Sequence, residues 1–182
     1  MQYLNDIGFV IKRVNLGEAD RFVTLFTKNN GKIEVLAKGV RKISSKRASH
    51  IELLNLINFN SLRSSKKNPS EKAPFILTEV DLITSFENRR ETLLQCQTLF
   101  LICELVEALC PYGQRNTEVY SHIGKFIKKG DFSTEAINSW QTNILSILGY
   151  WDEDKVFTSE KESRGFIEQL LERKIRSQSF TI

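Results

Sequence analysis

The stretch Gly8 to Arg47, GFVIKRVNLGEADRFVTLFTKNNGKIEVLAKGVRKISSKR, leaves this chain few choices of fold. Apolar residues recur through it at period two, the spacing of strands, and turn residues interrupt it. Phe9 and Ile11 share one face of a first strand. Leu16 to Asp20 makes a turn, where Gly17 is free to take positive φ. Phe22, Thr24 and Phe26 alternate with Val23 and Leu25 on a second strand, as a curled sheet with two filled faces requires. Asn29-Asn30-Gly31 is a hairpin turn, since Asn and Gly tolerate left-handed backbone. Ile33, Val35 and Ala37 continue as a third strand. Lys38, Arg41, Lys42, Lys46 and Arg47 then follow with no acidic residue among them.

The sheet pattern continues further on. Val40 to Ser49 reads as a polar, basic loop, Ile51 to Leu62 as a fourth strand, and Ser64 to Pro74 as an exposed loop. Phe75 to Ile83 is the fifth strand. Five short strands with long connections on either side of the fourth fit a small Greek-key barrel of the OB type, with an SH3-like barrel as the competing arrangement. From Thr84 the period changes to that of helices. Thr84-x-x-Glu87, or Asn88-x-x-Glu91 a turn later, offers a capping box for an apolar helix reaching Cys110, which Pro111 and Gly113 stop. Further helices are predicted over Thr117 to Lys129, from a Ser133 or Thr134 cap to Gly149, and over about Glu162 to Ser177. The predicted fold is α+β and multi-domain: a five-stranded OB-fold barrel over residues 1–83, then an all-α helical bundle over 84–182.

Charge divides the chain in the same place. Residues 1–80 hold 14 Lys and Arg against 7 Asp and Glu, whereas residues 81–182 hold 12 against 15, within a total net charge of +4. The positive field belongs to the first half and suggests a polyanionic partner there. Cys96, Cys103 and Cys110 recur at intervals of seven. On a helix they lie about 10.5 Å apart in rise, too far for a disulfide or a shared metal. They read as small core residues in a reducing compartment. Gln95, Gln97, Glu104 and Glu107 interrupt the most apolar segment, so it will not span a bilayer. With no leader at its start, the chain is expected in the cytoplasm, associated with the nucleoid.

A strand meander that delivers five cations to one rim is suited to holding phosphates, and Arg13, Lys32, Arg63, Lys66 and Lys67 would extend the track. A solvated loop is the plain alternative. Phe9, Phe22, Phe26 and Phe59 read as barrel core before they read as stacking platforms. Catalytic constellations are not found. His50 and His122 are far apart, no Cys-x-x-Cys or His-x-x-x-His occurs, and no GxxxxGK run cradles a phosphate. Glu18 and Asp20 read as turn stabilisers and partners for Arg21. Asp152-Glu153-Asp154 would serve a metal-dependent nuclease, a weak third reading. No metal and no cofactor are predicted.

Gly8-Phe9-Val10-Ile11, Gly17-Glu18-Ala19-Asp20-Arg21, Leu25-Phe26-Thr27, Gly31-Lys32 and Ala37-Lys38-Gly39-Val40-Arg41-Lys42 together resemble the N-terminal signature of the bacterial RecO family of recombination mediators. Ser45-Lys46-Arg47, Ile51-Glu52-Leu53-Leu54 and Glu79-Val80-Asp81-Leu82 extend the likeness over roughly the first 85 residues. The resemblance implies an OB-fold domain followed by a helical one, without enzymatic turnover. It implies binding to single- and double-stranded DNA, strand annealing, and loading of RecA with RecR onto DNA coated by single-strand binding protein, whose C-terminal tail docks on RecO. Lys38, Arg41, Lys42, Lys46 and Arg47 would contact the DNA backbone. Many members carry a four-cysteine zinc insertion after the Leu-Gly helix end. Here Gly149 is followed by Tyr150-Trp151-Asp152, so metal is not expected. A non-enzymatic adaptor whose basic loop binds an acidic partner tail is the alternative function.

Overall fold

The computed structural model describes residues 1–63, 73–152, 155 and 157–177. Five strands come first: β1 (Gln2–Leu16), β2 (Asp20–Thr27), β3 (Gly31–Ala37), β4 (Leu56–Arg63) and β5 (Phe75–Thr84). A 3-10 turn at Glu87–Arg89 leads to α1 (Leu93–Leu109), α2 (Thr117–Lys129), α3 (Thr134–Ile147) and α4 (Glu160–Leu171). The chain divides into two compact units. One is Met1–Ser85 with Cys110–Asn116; the other is Phe86–Leu109 with Thr117–Ile182.

The strands close into a barrel in the order β1-β2-β3-β5-β4. Every neighbouring pair is antiparallel except β3 and β5, which share a short parallel contact, Val35 with Phe75 and Leu36 with Ile76. β1 is long enough to serve two neighbours: Gln2 to Phe9 pair with β4, and Gly8 to Leu16 pair with β2. The register against β2 slips between Val10 and Lys12, leaving Ile11 as the extra residue of a bulge. Such a bulge bends the strand and lets one strand join two sides of a closed sheet. It also breaks the simple alternation expected around Phe9 and Ile11, because Phe9, Val10 and Ile11 are all buried. Val10 is the one that joins Val23, Leu25, Val35, Ile57 and Phe59 in the barrel's core cluster.

The fourth strand begins at Leu56, not at Ile51. Residues 38–55 instead form a succession of turns, in which Leu54 takes a positive φ of 57° and its N–H donates to the Val10 carbonyl at 2.6 Å. Ile51 and Leu54 are three apart, the spacing of one side of a turn rather than of one face of a strand. Both are buried, and Ile51 joins Val40 in the core cluster, so the loop contributes apolar plugs to the barrel.

In the helical unit, neither expected capping box starts α1. Thr92 does so with Gln95: the Gln95 N–H donates to Thr92 Oγ1, while Gln95 Oε1 accepts from the Glu91 and Thr92 N–H groups. This is the same reciprocal chemistry one turn later. α1 buries Leu99, Leu101, Ile102, Leu105 and Val106 but leaves Leu93, Leu94 and Phe100 about half exposed. Ser133 caps α3 through the Ala136 N–H. At the start of α4 Ser159 Oγ accepts from the Glu162 N–H while the Glu162 carboxylate accepts from Thr158. The helix ends at Leu171 rather than near Ser177 because Glu172 turns left-handed, at φ 53°. Trp140, Phe126 and Phe132 form one aromatic cluster, and Trp151, Phe157 and Phe166 form another. Cys96, Cys103 and Cys110 are all free thiols. No described helix is long and apolar enough to cross a membrane.

Candidate nucleic-acid interface

The basic loop leaves β3 at Lys38 and is fixed by backbone contacts to the β1–β2 turn. Gly39 takes a φ of 65°, and its N–H donates to Asp20 Oδ1 at 2.7 Å. The Arg41 N–H donates to the Ala19 carbonyl at 2.9 Å, and Arg41 Nη1 donates to the Gly17 carbonyl at 2.8 Å. Arg47 closes the loop from the other side: Nη2 donates to the Lys38 carbonyl at 2.8 Å and Nη1 to the Leu77 carbonyl at 3.2 Å. Two of the five cations therefore act partly as braces, through a planar fork that one ammonium cannot imitate.

The lysines are placed differently. Lys38, Lys42 and Lys46 are exposed, and the stem of Lys42 runs past Gly39, 3.9 Å from where a Cβ would stand. Among the described residues, none of the five cations is ion-paired to a carboxylate. On the facing turn, Asp20 is occupied by the Gly39 N–H. Arg21, expected to pair with Glu18 and Asp20, instead donates from Nε to Asn15 Oδ1 at 3.0 Å.

The outlying candidates do not join this group. The Arg13 guanidinium is engaged by the Glu52 carboxylate. Lys32 stands at the opposite end of β3 from Lys38, about 20 Å of extended strand away, and is buried with its amine 4.4 Å above the Tyr112 ring. Arg63 lies over the Phe75 ring at 3.9 Å. Lys66 and Lys67 fall outside the described residues. Of the aromatic candidates, Phe9, Phe26 and Phe59 are buried and Phe22 is half-buried. Asp152 pairs with Lys155 at 3.4 Å, while Glu153 and Asp154 fall outside the described residues. Among the described residues, no group of three or more His, Cys, Asp or Glu is placed to hold a metal ion.

Sequence reasoning missed the role of Cys110–Asn116 in the barrel unit. The Gly113 N–H donates to the Lys32 carbonyl at 2.8 Å, and Tyr112 forms a parallel bridge with Lys32. Gly31 makes this approach possible. A Cβ there would stand 1.9 Å from the Gln114 carbonyl oxygen, and φ is 63°. The sequence marks Gly31 as a turn glycine but carries no sign of the second backbone lying against it.

A small closed barrel in this strand order is one of the architectures that bind oligonucleotides and oligosaccharides. Residues 1–86 match the model of the family described as recombination protein O, N terminal. The DNA repair protein RecO of Acetivibrio thermocellus is 30% identical over 154 residues, covering 82% of this chain and 59% of that protein. The RecO of Symbiobacterium thermophilum is 32% identical over 154 residues (82% and 58%), and that of Dehalococcoides mccartyi is 29% identical over 146 (79% and 55%). Over its first 86 residues the chain is similar to the recombination protein O family. It spans somewhat under three fifths of the length of these relatives.

Proposed function

We propose that this chain acts in DNA repair and recombination as a mediator without catalytic turnover, its OB-type barrel holding single- and double-stranded DNA against the 38–47 loop. The observation that carries this reading is the group of exposed Lys38, Lys42 and Lys46 amines, free of carboxylate partners among the described residues, on a loop braced by Arg41 and Arg47. Cations held near a phosphate backbone release its counterions and offset the repulsion between two strands, which is what annealing needs. The family relationship supports partnership with RecR and the loading of RecA onto DNA coated by single-strand binding protein. It also supports a barrel domain, residues 1–83, and a helical domain, 84–182, apart from residues 110–116, which belong to the barrel unit.

The lysines are the residues to change, because Arg41 and Arg47 also hold the loop's shape. Replacing Lys38, Lys42 and Lys46 together by Ala is expected to reduce the single-strand salt slope by about 2, with slower annealing and an unchanged melting temperature. A variant with the wild-type slope and annealing rate overturns this reading.

A cleft between α2 and α3 favours the helical unit as the dock for the acidic tail of a single-strand binding protein. It has a volume of about 240 Å³ and is lined by Lys125, Lys129, Phe126 and His122, with His122 stacked on Trp140 at 5.7 Å. Burial depresses the His122 pKa below 6.5, which leaves the two lysines as the cleft's cations at neutral pH. Lys125→Glu with Lys129→Glu should abolish binding of an acidic, aromatic-ended peptide while sparing DNA binding.

A further inference from the structure

The barrel unit has a second cationic surface, at the far end of β3 from the basic loop. It is a groove of about 660 Å³ whose walls include Lys32, Arg63, Tyr112, Phe75, Asn30 and Gln2. Among the described residues, both of its cations lie on aromatic rings, Lys32 on Tyr112 and Arg63 on Phe75. Stacking of this kind fixes a guanidinium in a plane without consuming its hydrogen-bond donors. Among the described residues, the Arg63 side chain makes no hydrogen bond or ion pair, and its Nε is buried without a partner. A buried donor on a permanent cation is costly to leave unmet, so this groove is suited to an anion. Among the described residues, Glu34 is the one acid on its walls.

Tyr112 adds a second feature. It is 55% exposed although its backbone is bridged to Lys32 and its neighbour Gly113 is hydrogen-bonded to it, so an accessible ring stands on a fixed support. A half-exposed aromatic ring with a cation on one face, and the Gln2 amide on the same groove, matches the needs of a nucleotide more closely than those of an acidic peptide. The base stacks on the ring, the phosphate meets the guanidinium, and the Gln2 amide can meet a base edge.

We infer that this groove is a stacking subsite for one or two nucleotides of a single strand, with Tyr112 as the platform and Arg63 as the phosphate contact. The inference rests on the proposed DNA-binding function but uses none of the 38–47 residues. It is tested with the full chain and an oligothymidylate carrying 5-iodouracil, alongside binding titrations of single-stranded and duplex DNA. Tyr112→Leu should weaken single-strand binding about tenfold and Tyr112→Phe should leave it unchanged. Arg63→Gln should weaken it and lower the salt slope by about 0.7. Duplex affinity should not change in the Tyr112→Leu variant, and photocrosslinks should map to Tyr112. Wild-type single-strand affinity in both Tyr112→Leu and Arg63→Gln overturns the subsite. If the Lys38, Lys42, Lys46 variant is impaired in the same experiment, the proposed function survives that loss. Crosslinks confined to residues 38–47, or an acidic peptide that binds the groove and is not displaced by oligothymidylate, overturn it as well. Tyr112 is exposed and Arg63 half-buried, so matched melting curves for each variant separate lost binding from lost folding.

Discussion

The barrel and the helical unit each secure a loop with one carboxylate that gathers N–H donors, yet the two devices have different consequences. In the barrel, Asp6 is buried and accepts from its neighbour Ile7, from the Asn29 backbone and side chain, and from the Asn30 side chain. The turn it holds lies between β2 and β3, whose ladder already fixes the register from Arg21–Ala37 to Thr27–Gly31. In the helical unit, Glu104 on α1 accepts from Arg173 and from the backbone N–H groups of Arg176 and Ser177. Residues 173–177 belong to no helix or strand, so no ladder holds them. A carboxylate inside a closed sheet is tied to global unfolding; one that clasps an irregular segment governs local opening.

The largest effect that sharpens this contrast is expected at Gly31. Gly31→Ala drives a methyl into the Gln114 carbonyl and forces a left-handed backbone on a residue with a Cβ. A loss of roughly 3 kcal/mol in denaturant unfolding of the barrel is expected, since overpacking and the φ penalty add. Asp6→Ala follows, at about 2 kcal/mol, because the Asn29 N–H and two amide side chains lose their common acceptor. Both changes should lower the midpoint for the whole barrel. If Asp6→Ala merely speeds local exchange at Asn29 and Asn30 and spares the midpoint, the contrast with Glu104 disappears.

Much of the barrel was legible because its signals are local. The alternation in β2 and β3, the Asn29-Asn30-Gly31 turn and the α2 boundaries at Thr117 and Lys129 each rest on residues adjacent in the chain. What escaped depends on distant partners. The Ile11 bulge exists because β1 serves two neighbours, and the late start of β4 exists because Ile51 plugs the barrel and Leu54 is buried in a turn instead of alternating. At the candidate site, the run of cations was plain, but its division into braces and exposed lysines was not. Arg47 becomes a brace only when β5 brings the Leu77 carbonyl beside it. The 110–116 segment reads as a helix stop, and nothing near Tyr112 marks the contact with Lys32.

Glu104 tests the local half of the contrast with a smaller effect. Glu104→Gln keeps a carbonyl oxygen but loses the charge that strengthens bonds from Arg173, Arg176 and Ser177. Amide exchange at Arg176 and Ser177 should quicken about tenfold, equivalent to ~1.4 kcal/mol, with the barrel midpoint unmoved. Acid should reproduce this change in the unmodified chain. Burial alone would raise the Glu104 pKa, but the hydrogen bond from the Arg173 side chain and those from the Ser177 and Arg176 backbones outweigh it, and the net shift is downward from 4.5. A carboxylate whose pKa is lower folded than unfolded contributes its full stability above the unfolded value and loses it as pH falls through the folded value. Glu168 is shifted the same way, chiefly by the Ile175 N–H and then by Arg164, and it holds the same segment. The clasp amides should therefore gain exchange below pH 4.5 before those of α3 do, and Glu104→Gln should flatten that acid limb without removing it, since Glu168 remains. An acid limb identical in the variant and the unmodified chain would mean that Glu104 is not what holds residues 173–177 in place.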